Sequence, residues 1–185
     1  MKARDVAFVT RLIRNDSRRW ELLGHVRSMD LPDCWIGAGF VRNPVWSELH
    51  HAAPEPDHDV DVIWFDRTRS ESEIDRSHEV ALKAQEPSVK WSVKNQARMH
   101  LSNGDAPYLS SADAMRHWPE TATAVAVRRT ASDECELLAP FGLDDLLGMK
   151  LRPAGEFAGS KRVIFEQRVR SKRWLLDFPK LELVA

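Results

Sequence analysis

Two aspartates separated by a single valine stand at the start of an apolar segment, residues 59–65 (DVDVIWF). The segment is rich in β-forming residues, so we expect a strand, whose two-residue period places Asp59 and Asp61 on one face. Backbone positions i and i+2 of a strand lie roughly 6.5–7 Å apart, which lets two carboxylates converge on divalent metal ions. Such ions can bridge the phosphates of a nucleotide. Asp59 and Asp61 are therefore the predicted metal ligands, for Mg²⁺ or Mn²⁺, and the predicted catalytic residues.

Like charges side by side on a sheet cost stability unless a positive group neutralises them. A bound metal ion would explain why an otherwise apolar strand carries both Asp59 and Asp61. The alternative interpretation is a solvent-exposed edge strand with two acidic side chains that bind nothing. The histidines that flank the pair, His50, His51 and His58, are interpreted as part of a polar loop and not as ligands.

A turn between a strand and a helix offers a second candidate site. Residues 34–36 (CWI) are apolar, residues 37–39 (GAG) form a turn, and apolar positions in residues 40–49 recur at helical spacing. Glycines at such a turn let backbone N–H groups approach an anion at the helix N-terminus, where an arginine could add a charged donor. A purely structural turn is the alternative. The predicted nucleotide-binding residues of this segment are Gly37, Ala38, Gly39 and Arg42.

The segment 89–99 alternates between apolar and polar side chains, which predicts a half-buried strand. Its exposed face would be unusually basic, with Lys94 and Arg98 among the polar positions. If this strand neighbours the strand of the aspartates, Lys94 could line a groove that faces phosphate. A solvated strand face is the alternative.

The remaining elements follow from periodicity and capping signals. Apolar residues at helical spacing predict two helices within residues 1–31, with a new helix cap near Asp16. Ser70 followed by Glu73 matches a capping box at the start of a helix.

The last third of the sequence predicts a hairpin and a covering helix. Residues 121–138 contain two β-rich runs around a turn signal, and residues 160–174 have the pattern of a basic helix. The apolar residues that this helix would turn towards the sheet are Val163, Ile164 and Leu175.

Composition restricts the class of protein. The chain has 185 residues and a formal net charge of −1, which fits one globular domain and gives no overall field to attract nucleic acid. Cys34 and Cys135 lack zinc-site spacing, so we expect reduced thiols and a cytoplasmic protein. No apolar run approaches the roughly 18 residues that span a bilayer, so we expect no export signal and no membrane partner.

The order of these motifs resembles a known family. Residues 36–43 (IGAGFVRN) and 59–62 (DVDV) are similar to the head domain of polymerase-beta-like nucleotidyltransferases, in particular CCA-adding enzymes and poly(A) polymerases. Residues 113–125 and 139–146 (APFGLDDL) are similar to two later segments of that domain, so the resemblance spans roughly residues 35–152. As a whole the chain resembles a set of stand-alone bacterial proteins built from this head domain.

The resemblance implies an α+β fold with a mixed sheet of about five strands flanked by helices. It implies one nucleotidyltransferase domain, 1–185, with N-terminal helices in 1–31, a catalytic core in 33–152, and a covering helix and tail in 153–185. The implied reaction is the metal-dependent transfer of a nucleoside monophosphate from a nucleoside triphosphate to an acceptor, which could be RNA, a protein or a small molecule.

The resemblance also implies roles for two further residues. Arg98 matches an arginine of the family, and Glu120 occupies the place of the aspartate that contacts the ribose. Together with Lys94 they complete the predicted nucleotide site.

The sequence departs from the family pattern at several positions. Ala38 replaces a glycine, Asn43 replaces an aspartate, and residues 118–120 (WPE) stand where Arg-Arg-Asp is usual. The segment 89–99 shows no third carboxylate that could act as a general base, which leaves metal or a remote group such as Asp105. The alternative function is therefore a catalytically inactive nucleotide-binding or interaction module. Because we find no further helical domains, we do not expect a specific tRNA-tailing activity.

Overall fold

The computed structural model describes residues 1–53 and 59–184, which form a mixed β-sheet with helices on its faces. The α-helices of the described residues are α1 (Ala3–Asn15), α2 (Ser17–Ser28), α3 (Gly39–Leu49), α4 (Ser72–Gln85), α5 (Gln96–Asn103), α6 (Ser111–Met115), α7 (Asp144–Leu147), α8 (Arg162–Lys172) and α9 (Trp174–Asp177). The strands are β1 (Trp35–Gly37), β2 (Asp59–Trp64), β3 (Lys90–Asn95), β4 (Ala126–Arg129), β5 (Cys135–Leu138), β6 (Lys150–Leu151) and β7 (Glu182–Leu183).

Five strands form the main sheet, in the order β3-β2-β1-β4-β5. Strands β2 and β3 are parallel and joined by α4, whereas β1 runs antiparallel to both β2 and β4, and β4 and β5 form an antiparallel hairpin. Strands β6 and β7 make a separate parallel pair. The predicted fold class, a mixed sheet of about five strands flanked by helices, is confirmed.

The two faces of the sheet differ in what covers them. Val60, Val62 and Trp64 of β2 are fully buried in the main apolar core, which also contains side chains of α1, α2 and α3. The opposite face carries Asp59 and Asp61, both exposed, as the two-residue period of a strand requires. The acidic pair therefore lies on the face that the main core leaves open.

The helix boundary near residue 16 lies where the sequence predicts it. The side chain of Asp16 accepts a hydrogen bond of 3.0 Å from the backbone N–H of Arg19 and caps α2. The capping box predicted at Ser70 and Glu73 does not form, because α4 begins at Ser72 and Glu71 occupies the cap position without a side-chain hydrogen bond.

The segment 89–99 is not one strand, and this prediction was wrong. Strand β3 ends at Asn95, whose side-chain oxygen accepts from the backbone N–H groups of Ala97 and Asp66, at 3.0 and 3.1 Å. The side chain thus caps α5 and anchors it to the end of β2. The apolar and polar alternation continues past residue 95, but the chain is helical there and Arg98 does not lie on the strand.

The C-terminal helix packs on a different face from the one predicted. Helix α8 buries Phe165 and Val169, and Trp174 of α9 is buried beside them. Val163, Ile164 and Leu175 are exposed instead, and this prediction was wrong. The larger aromatic residues decide which face is covered, since they bury more apolar area than a valine or a leucine.

Candidate active site

The glycine turn and the acidic pair meet across two neighbouring strands. Gly37, the last residue of β1, lies opposite Asp61 of β2 in the antiparallel register. Helix α3 begins two residues after Gly37, so its N-terminus stands next to the exposed carboxylate. The sheet therefore brings together the two sites that the sequence predicts separately.

Tight packing at the turn explains its small residues. A Cβ atom added to Gly37 would lie 3.0 Å from the indole ring of Trp118, and one added to Gly39 would lie 3.3 Å from Nη2 of Arg42. Ala38 between them has φ 53° and ψ −119°, a backbone conformation that favours glycine. This alanine stands where the resembling family has a glycine, so the backbone keeps the conformation of a glycine turn.

Backbone amides at the start of α3 are free to bind an anion. The N–H groups of Val41 and Arg42 donate to the carbonyl of Ala38, whereas those of Gly39 and Phe40 donate to no group of residues 1–53 or 59–184. Amides of a first helical turn carry part of the positive end of the helix dipole. This arrangement suits a phosphate group.

The two aspartates differ in their present partners. Asp59 forms an ion pair of 3.1 Å with Lys90, in which both side chains are largely exposed, and such pairs contribute only about 0–1 kcal/mol. The carboxylate of Asp61 makes no hydrogen bond and no ion pair within the described residues, and Asp61 lines a cavity of about 460 Å³.

The two carboxylates of the acidic pair are oxygen donors of the kind that Mg²⁺ binds. Mg²⁺ prefers oxygen ligands and is commonly held by one or two carboxylates together with water and substrate phosphates. No group of three or more metal-ligating side chains occurs in the described part of the chain, where Asp59 and Asp61 are the candidate ligands of this site. The remaining ligands would come from nucleotide and water.

Strand β3 places basic and neutral side chains beside the aspartates. Ser92 lies next to Asp61 in the parallel register and Lys90 lies next to Asp59, so neither neighbour is a carboxylate. Lys94 lines the cavity and forms an ion pair of 2.9 Å with Glu79. Lys94 and Asp61 thus line the same cavity.

Arg42 lies behind the turn in a buried aromatic setting. Its guanidinium stands 4.7 Å from the ring centroid of Trp174 and 5.3 Å from that of Trp46, and it donates to the side-chain oxygen of Asn43. Burial lowers the pKa of Arg42 to about 10, opposed by the negative charge of Glu120. Arg42 therefore remains a cation at neutral pH and contributes positive potential at the start of α3.

Glu120 has no exposed surface, in contrast to the ribose contact that the resemblance implies. One carboxylate oxygen accepts 2.8 Å from Nε of Arg168, and the other accepts 2.7 Å from the hydroxyl of Thr123. In this conformation Glu120 offers no oxygen to a ribose and holds a cation of α8 instead.

Arg98 lies outside the cavity that Asp61 lines. Its guanidinium forms an ion pair with the buried carboxylate of Asp75, which also accepts from the indole N–H of Trp64 at 2.7 Å and from the backbone N–H of Asn95. These contacts tie α5, α4 and β2 together, so the position of Arg98 is that of a structural residue.

A cluster of polar side chains surrounds Asp105 at the cavity. Sequence reasoning identified Asp105 but not its partners. The carboxylate of Asp105 receives hydrogen bonds from Tyr108 and Lys161 and lies 3.2 Å from Nδ1 of His117. Burial would raise the pKa of Asp105, but the hydrogen bonds from Tyr108 and Lys161 outweigh it and hold the pKa below its usual value. No local pattern links these residues, because three separate elements bring them together.

The histidines near the aspartates have structural contacts where the structure describes them. His50 accepts a hydrogen bond of 3.0 Å from the backbone N–H of Lys180, and its ring packs edge-to-face against Phe178. His51 is exposed, and His58 lies outside the described residues, as do residues 54–57 of the predicted polar loop.

The fold and the site define a nucleotidyltransferase head domain, and comparison with known proteins agrees. The family model described as nucleotidyltransferase matches residues 24–183, so the chain belongs to the nucleotidyltransferase family. No curated protein sequence matches this chain.

Solved structures extend the comparison. A protein whose NMR structure reveals a CCA-adding enzyme head domain shares 32% identity, with a TM-score of 0.83 over 95% of this chain and 94% of that chain. A CCA-adding enzyme in complex with CTP matches at 15% identity and a TM-score of 0.62, over 96% of this chain and 43% of that chain. The Thermotoga maritima CCA-adding enzyme complexed with tRNA matches at 15% identity and a TM-score of 0.60, over 96% and 42%. The chain therefore spans less than half of these two enzymes, and that likeness concerns the fold alone.

The helices of the described residues also bear on membrane association. None of them combines the length and the apolar character that crossing a bilayer requires.

Proposed function

We propose that this protein is a metal-dependent nucleotidyltransferase, which transfers a nucleoside monophosphate from a nucleoside triphosphate to an acceptor hydroxyl or phosphate. One observation carries the proposal: Gly37 pairs with Asp61, so the free amides at the start of α3 lie at a cavity beside a carboxylate that has no hydrogen bond or ion pair within residues 1–53 and 59–184. The membership of the nucleotidyltransferase family supports the same reaction class.

The residues of the site divide between metal and phosphate. Asp59 and Asp61 would hold Mg²⁺ or Mn²⁺, which would stabilise the charge of the phosphates and of the leaving pyrophosphate. The free amides of Gly39 and Phe40 and the positive potential of Arg42 would orient the triphosphate. Lys94 would add a cation from β3 on the same side of the cavity.

The bonds that change in the proposed transfer are those at the α-phosphorus of the triphosphate. The acceptor oxygen forms a bond to the α-phosphorus, and the bond from that phosphorus to the bridging oxygen breaks. The electron pair leaves on pyrophosphate, and the acceptor proton passes to water. The protein contributes position and electrostatic stabilisation, which supply most of the catalysis in phosphoryl transfer.

We further propose that residues 1–185 act as one nucleotidyltransferase domain in the cytoplasm of a bacterium. Residues 33–152 would form the catalytic core, and residues 1–31 and 153–185 would cover it. The match of the family model over residues 24–183 supports one domain, and the two free cysteines support a reducing compartment.

A transfer assay tests the proposed function. The protein is incubated with each nucleoside triphosphate labelled at the α-phosphate, Mg²⁺ and a cell extract. We expect label on one macromolecule or metabolite with the wild-type protein, and none with the double variant Asp59→Asn/Asp61→Asn. Equal labelling by both proteins would contradict the proposal.

A second candidate is a nucleotide-binding module of the same fold without turnover. Two observations favour it: Lys90 neutralises Asp59, and Ser92 stands next to Asp61 where a carboxylate could act as general base. In the same assay this module would bind a nucleotide in the presence of Mg²⁺ and transfer no label.

A further inference from the structure

Helix α8 forms one wall of the cavity that Asp61 lines. Ile164 and Arg168 of this helix, and Lys161 at its cap position, line the cavity together. Their spacing of three and four residues places them on one face of the helix. A segment that sequence analysis assigns to covering the sheet therefore also faces the candidate active site.

Arg168 is held in place from behind. Its Nε donates 2.8 Å to the fully buried carboxylate of Glu120, and its guanidinium lies 5.6 Å from the ring centroid of Trp174. Its two terminal nitrogens donate to no protein group in residues 1–53 or 59–184, and 35% of the side chain is exposed. The two terminal nitrogens can bind an anion in bidentate geometry, which is the preferred way in which arginine binds phosphate.

Lys161 differs from Arg168, although both line the cavity. The ammonium group of Lys161 contacts Asp105, Glu156 and the backbone carbonyl of Asn103, at 2.8 to 3.2 Å. All three donors are thus used within the protein. Of these two cations, Arg168 is the one that keeps unused hydrogen-bond donors within the described residues.

The electrostatic surroundings of Arg168 favour an anion once metal is bound. Arg42 and Arg168 share the ring of Trp174, and the buried carboxylate of Glu120 faces both of them. The negative charge of Asp61 also acts on Arg42, and a metal ion held by Asp61 would offset that charge. The two guanidiniums would then carry one positive charge more than Glu120 balances, which a triphosphate would neutralise.

We propose that Arg168 binds the triphosphate of the nucleotide and that Glu120 and Trp174 position its guanidinium for this contact. The proposal rests on the proposed function and deepens it, because it assigns the C-terminal helix to nucleotide binding. Glu120 is then a positioning residue and does not touch the nucleotide.

Equilibrium titrations test this assignment on the whole protein. Each of the four nucleoside triphosphates, inorganic tripolyphosphate and one nucleoside monophosphate are titrated in the presence of Mg²⁺, and thermal melting checks the fold of every variant. Removal of Arg168 alone would leave Glu120 buried and unpaired, so the main variant is Glu120→Gln/Arg168→Met. Arg170→Ala is the matched control, because Arg170 belongs to the same helix and its side chain is 74% exposed.

We expect the double variant to weaken triphosphate and tripolyphosphate binding about 10- to 100-fold, the loss of a charge-assisted contact. Monophosphate binding should change much less, and Arg170→Ala should bind like the wild type. Arg168→Lys should restore part of the affinity, since the charge returns without the planar donors.

Two results would overturn the assignment in distinguishable ways. If the wild type binds a triphosphate and the folded double variant binds it equally well, Arg168 is not a ligand and the proposed function stands. If the wild type binds no triphosphate with Mg²⁺, the proposed function falls and this assignment falls with it.

Discussion

Gly37 lies directly opposite Asp61 in the antiparallel pairing of β1 and β2. This register joins a backbone anion site to a carboxylate that has no hydrogen bond or ion pair in the described chain, at the edge of a cavity of about 460 Å³.

The acidic pair should matter for activity and not for stability. We expect Asp61→Asn to lower nucleotide transfer at least about 100-fold, since a catalytic metal supplies several kcal/mol of charge stabilisation. The double variant with Asp59→Asn should keep or raise its melting temperature, because the repulsion between the carboxylates is relieved. Transfer rates and thermal melts measure the two effects, and a collapsed melting temperature would mean that the pair is structural.

The conformation of Ala38 should make glycine the better residue at this position. A strained backbone conformation costs about 1–3 kcal/mol of stability, which a glycine at this position would recover. The greater conformational freedom of glycine in the unfolded chain offsets about 0.5–1 kcal/mol of that recovery. We therefore expect Ala38→Gly to raise the free energy of unfolding by about 1 kcal/mol.

Urea unfolding measures this change against a matched control. Ala81→Gly alters an exposed position within α4 and should lower the free energy of unfolding by about 1 kcal/mol. Equal destabilisation by both glycines would show that the turn holds Ala38 without strain.

Arg98 should act on stability rather than on nucleotide affinity. Arg98→Met leaves the carboxylate of Asp75 buried and uncompensated, which costs about 3–5 kcal/mol. Arg76→Met removes an exposed arginine from the same region and should change stability by less than about 0.5 kcal/mol. Unfolding curves separate the two, and a stable Arg98→Met variant with weak nucleotide binding would return Arg98 to the nucleotide site.

Asp66 should contribute to acid sensitivity. Hydrogen bonds from Thr68 and Arg69 lower the pKa of Asp66 to about 2, compared with about 3.9 in an unfolded chain. A lowered carboxylate pKa stabilises the fold above the unfolded pKa, and this contribution is lost as the pH falls towards the folded pKa. In urea unfolding, the free energy of unfolding of Asp66→Asn should fall less than that of the wild type between about pH 4 and pH 2. An unchanged decline would assign the acid sensitivity to other groups.

Local patterns were enough to predict the two elements that meet at the centre of the candidate site. The strand of Asp59 and Asp61 and the turn of residues 37–39 each follow from short-range rules of periodicity and glycine geometry. The family resemblance predicted that the strand and the turn belong to one site. In the structure, the sheet register places them next to each other.

The outer parts of the site depend on contacts between distant segments. Asn95 ends β3 because its side chain reaches residues of the loop after β2, and alternation of polar residues cannot reveal that. Arg168 faces the cavity because Phe165 and Val169 turn α8 by burying their own side chains. A one-dimensional pattern gives the helix but not the face that a tertiary contact selects.

The most direct test of the central claim is a titration of the isotope-labelled protein with Mn²⁺, followed by NMR. A paramagnetic ion broadens the signals of nearby nuclei, so the account predicts early and selective loss of the amide signals of residues 37–39, 59–61 and 90–92. The same titration of Asp59→Asn/Asp61→Asn should leave those signals intact. Broadening of another region, or equal broadening in the variant, would contradict a metal site formed by the two aspartates beside the glycine turn.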